Sequence, residues 1–130
     1  MNETNPPLMA SGASCGFPSP AEQYIQCPLD LNAHLVRNPE ATFFVRADGN
    51  SMIHAGIRSG DILIVDRSLE PVDGSIIVAC IDNEFTVKYL RRDERGIVLE
   101  PANPEYPAII LSEGMELRIF GVVSSCIHKF

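Results

Sequence analysis

Ser75-Ile76-Ile77-Val78-Ala79-Cys80-Ile81-Asp82-Asn83-Glu84-Phe85-Thr86-Val87-Lys88-Tyr89-Leu90-Arg91 is the stretch that decides the fold. A β-branched run meets Asp-Asn, two residues that accept a left-handed backbone, and a second alternating run follows. That pattern predicts two antiparallel strands joined by a tight turn. In the second strand, alternation puts Thr86, Lys88 and Leu90 on one face and Phe85, Val87 and Tyr89 on the other.

Further strands are predicted on both sides of this hairpin. Thr42-Phe43-Phe44-Val45 is aromatic and β-branched, and Asp61 to Asp66 reads as a buried strand bounded by acids. Ile97 to Leu99, Ala108 to Leu111 and Leu117 to Ile127 complete the set, with glycines or prolines between most of them. Short strands at this spacing predict a mostly β domain over residues 41–130, built as a strongly bent sheet or partial barrel. Residues 1–40 read differently. Met1 to Ser14 is small and polar without periodicity, and Phe17-Pro18-Ser19-Pro20 is extended or turn-like. Only Asp30 to Val36 has a helical pattern, with Asp30 as N-cap and Leu31 and Leu35 on one face. The expectation is a flexible N-terminal arm.

Composition narrows the function. The chain has 130 residues, 45% of them apolar, and a net charge of -7. An acidic surface repels phosphate backbones, so direct DNA binding is not expected. The cysteines, Cys15, Cys27, Cys80 and Cys126, have no metal-ligand spacing, and they read as reduced thiols acting as small apolar residues, Cys15 apart. No metal or cofactor is expected. The N-terminus lacks the pattern of a signal peptide, and no run of about 18 apolar residues exists, so the expected location is the cytoplasm.

Lysine usage points to chemistry. Of ten basic residues only Lys88 and Lys129 are lysines, and Lys88 stands in mid-strand. A surface lysine there is unremarkable in isolation. Unlike arginine, however, a lysine can lose its proton when burial disfavours the charge. A serine nucleophile needs such a base. An unperturbed lysine has a pKa of about 10.4, so about 1 in 2,500 is neutral at pH 7, and lowering the pKa to about 7 costs roughly 4–5 kcal/mol. Desolvation in an apolar site supplies that shift. The candidate nucleophile is Ser51, in Asp48-Gly49-Asn50-Ser51-Met52, a sharp turn after a strand that leads into a short helical segment. Amides of that turn would face a developing oxyanion. Among His34, His54 and His128, His54 is near Ser51 in sequence but reads as a loop-surface residue. The Cys15-Gly16 bond has a small residue before it and no side chain after it, in a segment able to enter a narrow groove.

These features occur together in one family. Cys15-Gly16-Phe17-Pro18-Ser19-Pro20-Ala21, Ala41 to Val45, Gly49-Asn50-Ser51-Met52, Gly60 to Asp66, Glu84-Phe85-Thr86-Val87-Lys88 and Phe120-Gly121-Val122-Val123 make the chain resemble the S24 serine peptidase domain of LexA-type repressors. The UmuD and MucA branch of SOS mutagenesis proteins is the nearer likeness. The intervals of 36 residues from Cys15 to Ser51 and 37 from Ser51 to Lys88 are similar to that branch.

The resemblance implies Ser51 as nucleophile, Lys88 as neutral base, the amides of Asn50 and Ser51 at the oxyanion, and self-cleavage at Cys15-Gly16. It further implies a homodimer, stimulation by the RecA filament on single-stranded DNA, and a UmuC-type Y-family polymerase subunit as partner in translesion synthesis. With no helix-turn-helix ahead of the cut, a LexA-type DNA-binding repressor is not expected. A non-catalytic binding module of the same fold is the alternative, and a general Ser-Lys peptidase acting on other proteins a third.

Overall fold

Asp82 and Asn83 turn the chain with positive φ, 47° and 71°, and close the central hairpin on two residues as their types predict. The structure is a computed structural model that describes residues 5–9 and 25–130. The chain divides into two compact units, Met1–Arg37 and Asn38–Phe130.

In the first unit, β1 (Pro7–Met9) pairs antiparallel with β2 (Ile25–Pro28), with Pro7 opposite Pro28. Pro7–Met9 is a short strand in a stretch where the sequence shows no strand periodicity. Pairing uses backbone groups, and three residues are too few to display a period of two. The helix α1 (Leu31–Leu35) forms where expected, and the Asp30 carboxylate accepts from the Asn32 and Ala33 N–H groups at 3.0 and 3.4 Å.

The second unit holds β3 (Thr42–Arg46), β4 (Ile62–Asp66), β5 (Ile76–Ile81), β6 (Glu84–Asp93), β7 (Gly96–Glu100), β8 (Ile109–Ile110) and β9 (Leu117–Ile127). They form one antiparallel seven-stranded sheet, in the order β3-β4-β9-β5-β6-β7-β8, which does not close. The domain is mostly β, as its sequence predicts. The C-terminal strand β9 is inserted between β4 and β5 and takes the register irregularity on both sides. Val78 faces Gly121 and Ala79 faces Ile119, which leaves Phe120 as an extra residue; likewise Ile64 faces Ser125 and Val65 faces Val123, which leaves Ser124. Extra residues of this kind bend a strand and increase its twist.

Alternation along β5 divides the core. Val78 belongs to a cluster with Ala47, Met52, Ile57, Leu63 and Val65. Ile77 and Ala79 belong to another with Leu90 and Leu99. Both faces of the sheet are therefore covered at its centre, which explains the unbroken apolar runs of β4 and β5.

Gly121 of β9 packs tightly against β4. A Cβ there would lie 2.7 Å from Val65 Cγ1 and 3.2 Å from the Asp66 carbonyl oxygen. Gly121→Ala is expected to destabilise the fold by about 1–3 kcal/mol through overpacking, read as a lower urea midpoint with unchanged slope.

Candidate active site

The Ser51 turn is braced from several directions. Where β3 ends, the Ala47 N–H donates to the Asp61 carbonyl and the Gly60 N–H to the Ala47 carbonyl, both at 2.8 Å. Gly49 takes a φ of 85° and donates its N–H to Ser59 Oγ at 3.1 Å. A side chain at that φ would be strained. Met52, only 3% exposed, plugs the turn into the core, and the chain continues into a 3-10 turn, Ile53–Ala55. The expected passage from strand through a sharp turn to a short helical segment is present. A distant segment holds the other side. The Ala102 N–H donates to the Ser51 carbonyl at 2.8 Å, and Asn103 Nδ2 to the Asn50 carbonyl at 2.9 Å.

Lys88 comes from β6. The Leu90 N–H donates to the Ser75 carbonyl on the β5 side, so by antiparallel alternation Lys88 and Thr86 also direct their backbone groups toward β5. Phe85 and Val87 direct theirs to the opposite edge. That edge is covered by β7 only from Tyr89 onward, and among the described residues no strand pairs with it at 84–88. Here the Lys88 amine, in a residue only 8% exposed, lies 3.0 Å from Ser51 Oγ, 2.6 Å from Thr86 Oγ1 and 3.2 Å from the Val87 carbonyl oxygen. Desolvation holds its pKa below the ordinary lysine value.

Three acceptors match the three N–H bonds of an ammonium group. A neutral amine has two N–H bonds and a lone pair. If Thr86 Oγ1 and the Val87 carbonyl take those two, the lone pair faces Ser51 Oγ, which suits abstraction of the serine proton. Around the pair lies a cleft of about 550 Å³ whose walls include Phe43, Val45, Val78, Phe85 and Phe120. Phe85 is 68% exposed and rests on Phe120 with ring centroids 5.1 Å apart. Most of the cleft's surface is apolar, with Arg46, Asp48 and Thr86 among its polar residues.

Ser51, from the turn after β3, and Lys88, from β6, are thus brought together, and Asn50 sits in the same turn as Ser51. Cys15 and Gly16 lie outside the described residues. His54 is exposed and lines a separate cavity with Pro101, Ala102 and Tyr106. Thr86 and the Val87 carbonyl are ligands of the amine that sequence reading did not assign. The signal for Thr86 was available, because a hydroxyl two residues before Lys88 on the same face is within its reach.

Asp61 anchors the far side of the brace. It is 3% exposed and accepts from the Arg58 N–H at 2.8 Å, with His128 Nδ1 at 2.6 Å and Cys126 Sγ at 3.2 Å. The Arg58 N–H first, and His128 second, lower its pKa to about 2. Burial, with the carboxylate beside it, pushes the Cys126 thiol up to about 11. Cys126 therefore departs from the expected apolar role, whereas buried Cys80 fits it.

Residues 7–124 match the family described as Peptidase S24-like. The chain belongs to that family. Among S24-like relatives, Protein SamA of Salmonella typhimurium is 48% identical over 127 residues, 98% of this chain and 88% of SamA. Protein MucA of Escherichia coli is 44% identical over 119 residues, 91% of this chain and 81% of MucA. The LexA repressor of Desulfatibacillum aliphaticivorans is 33% identical over 118 residues, 89% of this chain and 58% of the repressor. The resemblance to the MucA branch, read from the motifs around Ser51 and Lys88, holds over most of the chain.

Two outcomes follow from the electrostatics. Thr86→Val removes an acceptor that favours the ammonium form, so the Lys88 pKa should fall further. With only two lysines in the chain, a pH titration of ¹³Cε-lysine resonances in a Ser51→Ala background reads this directly. For Asp61, a lowered carboxylate pKa contributes stability above its unfolded value of about 3.9, and that contribution disappears as pH falls through about 2. Asp61→Asn should therefore be less stable than the parent near neutral pH, with the gap in urea midpoint narrowing below about pH 4.

Proposed function

We propose that this S24-like chain is a self-cleaving serine peptidase that cuts its own Cys15-Gly16 bond, with Ser51 as nucleophile and Lys88 as base. The observation that carries the reading is the 3.0 Å hydrogen bond between Lys88 Nζ and Ser51 Oγ, made by a lysine withdrawn from water. The open edge of β6 supports it as well. An extended segment can pair there with the backbone of Phe85 and Val87 while its side chains enter the apolar cleft.

In the proposed reaction the neutral Lys88 amine takes the Ser51 proton, and Oγ attacks the Cys15 carbonyl carbon. Negative charge moves to the carbonyl oxygen, where the Asn50 and Ser51 amides receive it. The Lys88 ammonium then returns its proton to the Gly16 nitrogen as the C–N bond breaks. Cys15 is left as an ester on Ser51, and water, deprotonated by Lys88, hydrolyses it. The products are residues 1–15 and 16–130.

The likeness to the MucA branch supports an SOS mutagenesis role for the cut. In this reading the RecA filament on single-stranded DNA stimulates cleavage, and residues 16–130, as a homodimer, join a UmuC-type Y-family polymerase subunit in translesion synthesis. Self-processing fits better than digestion of other proteins, because the bond to be cut is carried on the same chain. Retention of both Ser51 and Lys88 argues against a purely non-catalytic module.

The test is incubation of the purified chain across alkaline pH, with sequencing of the new N-terminus. Cleavage should expose Gly16, accelerate as Lys88 deprotonates, and level off below about pH 10.4, where a free lysine titrates. Ser51→Ala and Lys88→Arg should each lower the rate at least about 100-fold, the low end for loss of a positioned base. A terminus other than Gly16, or normal cutting by either variant, rules the reading out.

A further inference from the structure

Asn103 lies 52 residues beyond Ser51 in the segment Pro101-Ala102-Asn103-Pro104, and it makes two different side-chain hydrogen bonds. Its Oδ1 accepts from the Glu105 N–H at 3.0 Å and thereby shapes its own turn. Its Nδ2 donates to the Asn50 carbonyl oxygen at 2.9 Å. The partners fix the orientation of the amide, since Glu105 offers a donor and Asn50 an acceptor.

That second bond bears on the residue after Asn50. The peptide between Asn50 and Ser51 is planar and trans, so its carbonyl and its N–H point in opposite directions. The Asn50 oxygen also accepts from the Ile53 N–H at 3.2 Å, and the shorter bond to Asn103 holds it toward the 102–103 segment, which aims the Ser51 N–H away from that segment. The neighbouring peptide is held by the same segment, because the Ala102 N–H takes the Ser51 carbonyl. Among the described residues the Ser51 N–H has no acceptor of its own. A free, fixed donor beside the nucleophile is what a developing oxyanion requires.

We infer that Asn103 is a positioning residue, which holds the Asn50-Ser51 peptide so that the Ser51 N–H is aimed at the oxyanion. This rests on the serine chemistry proposed above. Among the described residues Asn103 hydrogen-bonds neither Lys88 nor the Ser51 hydroxyl, so it acts on the height of the rate and not on the protonation of the base. Asparagine is the residue this position requires: aspartate could still accept from Glu105 but could not donate to Asn50.

Asn103→Asp therefore separates the two roles, because it preserves the acceptor that shapes the turn and removes the donor that holds the peptide. The experiment measures self-cleavage of the full chain against pH for the parent, Asn103→Asp, Asn103→Ala and Ser51→Ala. A fluorophosphonate that labels Ser51 is used in parallel, since its reaction does not depend on docking of the arm. Losing a positioning contact should cost less than losing an oxyanion donor outright, which is worth about 100- to 1,000-fold. Both Asn103 variants should lower the plateau rate about 10- to 100-fold, and labelling of Ser51 should fall in parallel. The pH midpoint of the neutral Asn103→Ala variant should match the parent.

A parental plateau or parental labelling in Asn103→Asp would overturn the inference and leave Asn103 as a turn former. A rate loss in Asn103→Ala accounted for entirely by a shifted midpoint would overturn it too, as the residue would then act through Lys88. Failure of both variants to fold, read by urea unfolding, would make the role structural. Cleavage by Ser51→Ala would instead remove the serine chemistry on which the inference stands, whereas an inert Ser51→Ala beside a fully active Asn103→Asp rejects the role of Asn103 alone.

Discussion

A lysine amine withdrawn from water is the constraint around which the second unit is arranged. At 8% exposure Lys88 can keep its proton only at a cost, and desolvation lowers its pKa. Burial by itself would yield a neutral amine without a direction. Thr86 Oγ1 and the Val87 carbonyl supply the direction, because they can occupy two N–H bonds and leave the third position toward Ser51. The acceptors suit an ammonium group while burial opposes its charge, and burial holds the pKa below the ordinary lysine value.

The sheet supplies the conditions for that balance. β6 pairs with β5 over Glu84–Tyr89 and with β7 over Tyr89–Asp93, so among the described residues its β7-side edge has no partner strand at Lys88. β9 enters between β4 and β5, and the extra residue Phe120 stands at the wall of the cleft against Phe85. The Ser51 turn is not self-supporting. Asp61, Ser59, Ala102 and Asn103 hold it from outside, and Met52 ties it to the core. A turn fixed on several sides can keep a side chain and an amide in register with a base delivered by another strand.

Much of this was legible in the residues. The Asp82-Asn83 turn, the runs of β4 and β5 and the long β9 announced a mostly β domain, because β-branched segments bounded by turn formers have few other ways to bury themselves. Asp30 announced its helix by capping it. The small ladder of β1 and β2 was not legible, since it rests on backbone pairing in strands of three and four residues. Cys126 was misread for a related reason: its partner Asp61 is 65 residues away, and no local pattern announces a thiol beside a buried carboxylate.

By itself the sequence determined the strands, the central turn, the face of β6 on which Lys88 stands, and the family likeness carried by the Ser51 and Lys88 motifs. These follow from local rules, namely alternation, turn propensity and the rarity of lysine in this chain. Only the tertiary structure decided that the Lys88 amine meets Ser51 at 3.0 Å, that Thr86 and Val87 direct it, and that Asn103 bonds the Asn50 carbonyl beside Ser51. Two of these contacts join residues 37 and 53 positions apart, and even the local bonds to Thr86 and the Val87 carbonyl gain their meaning from burial. Desolvation and hydrogen-bond direction are properties of the packed chain, and neither exists until distant segments close around the site.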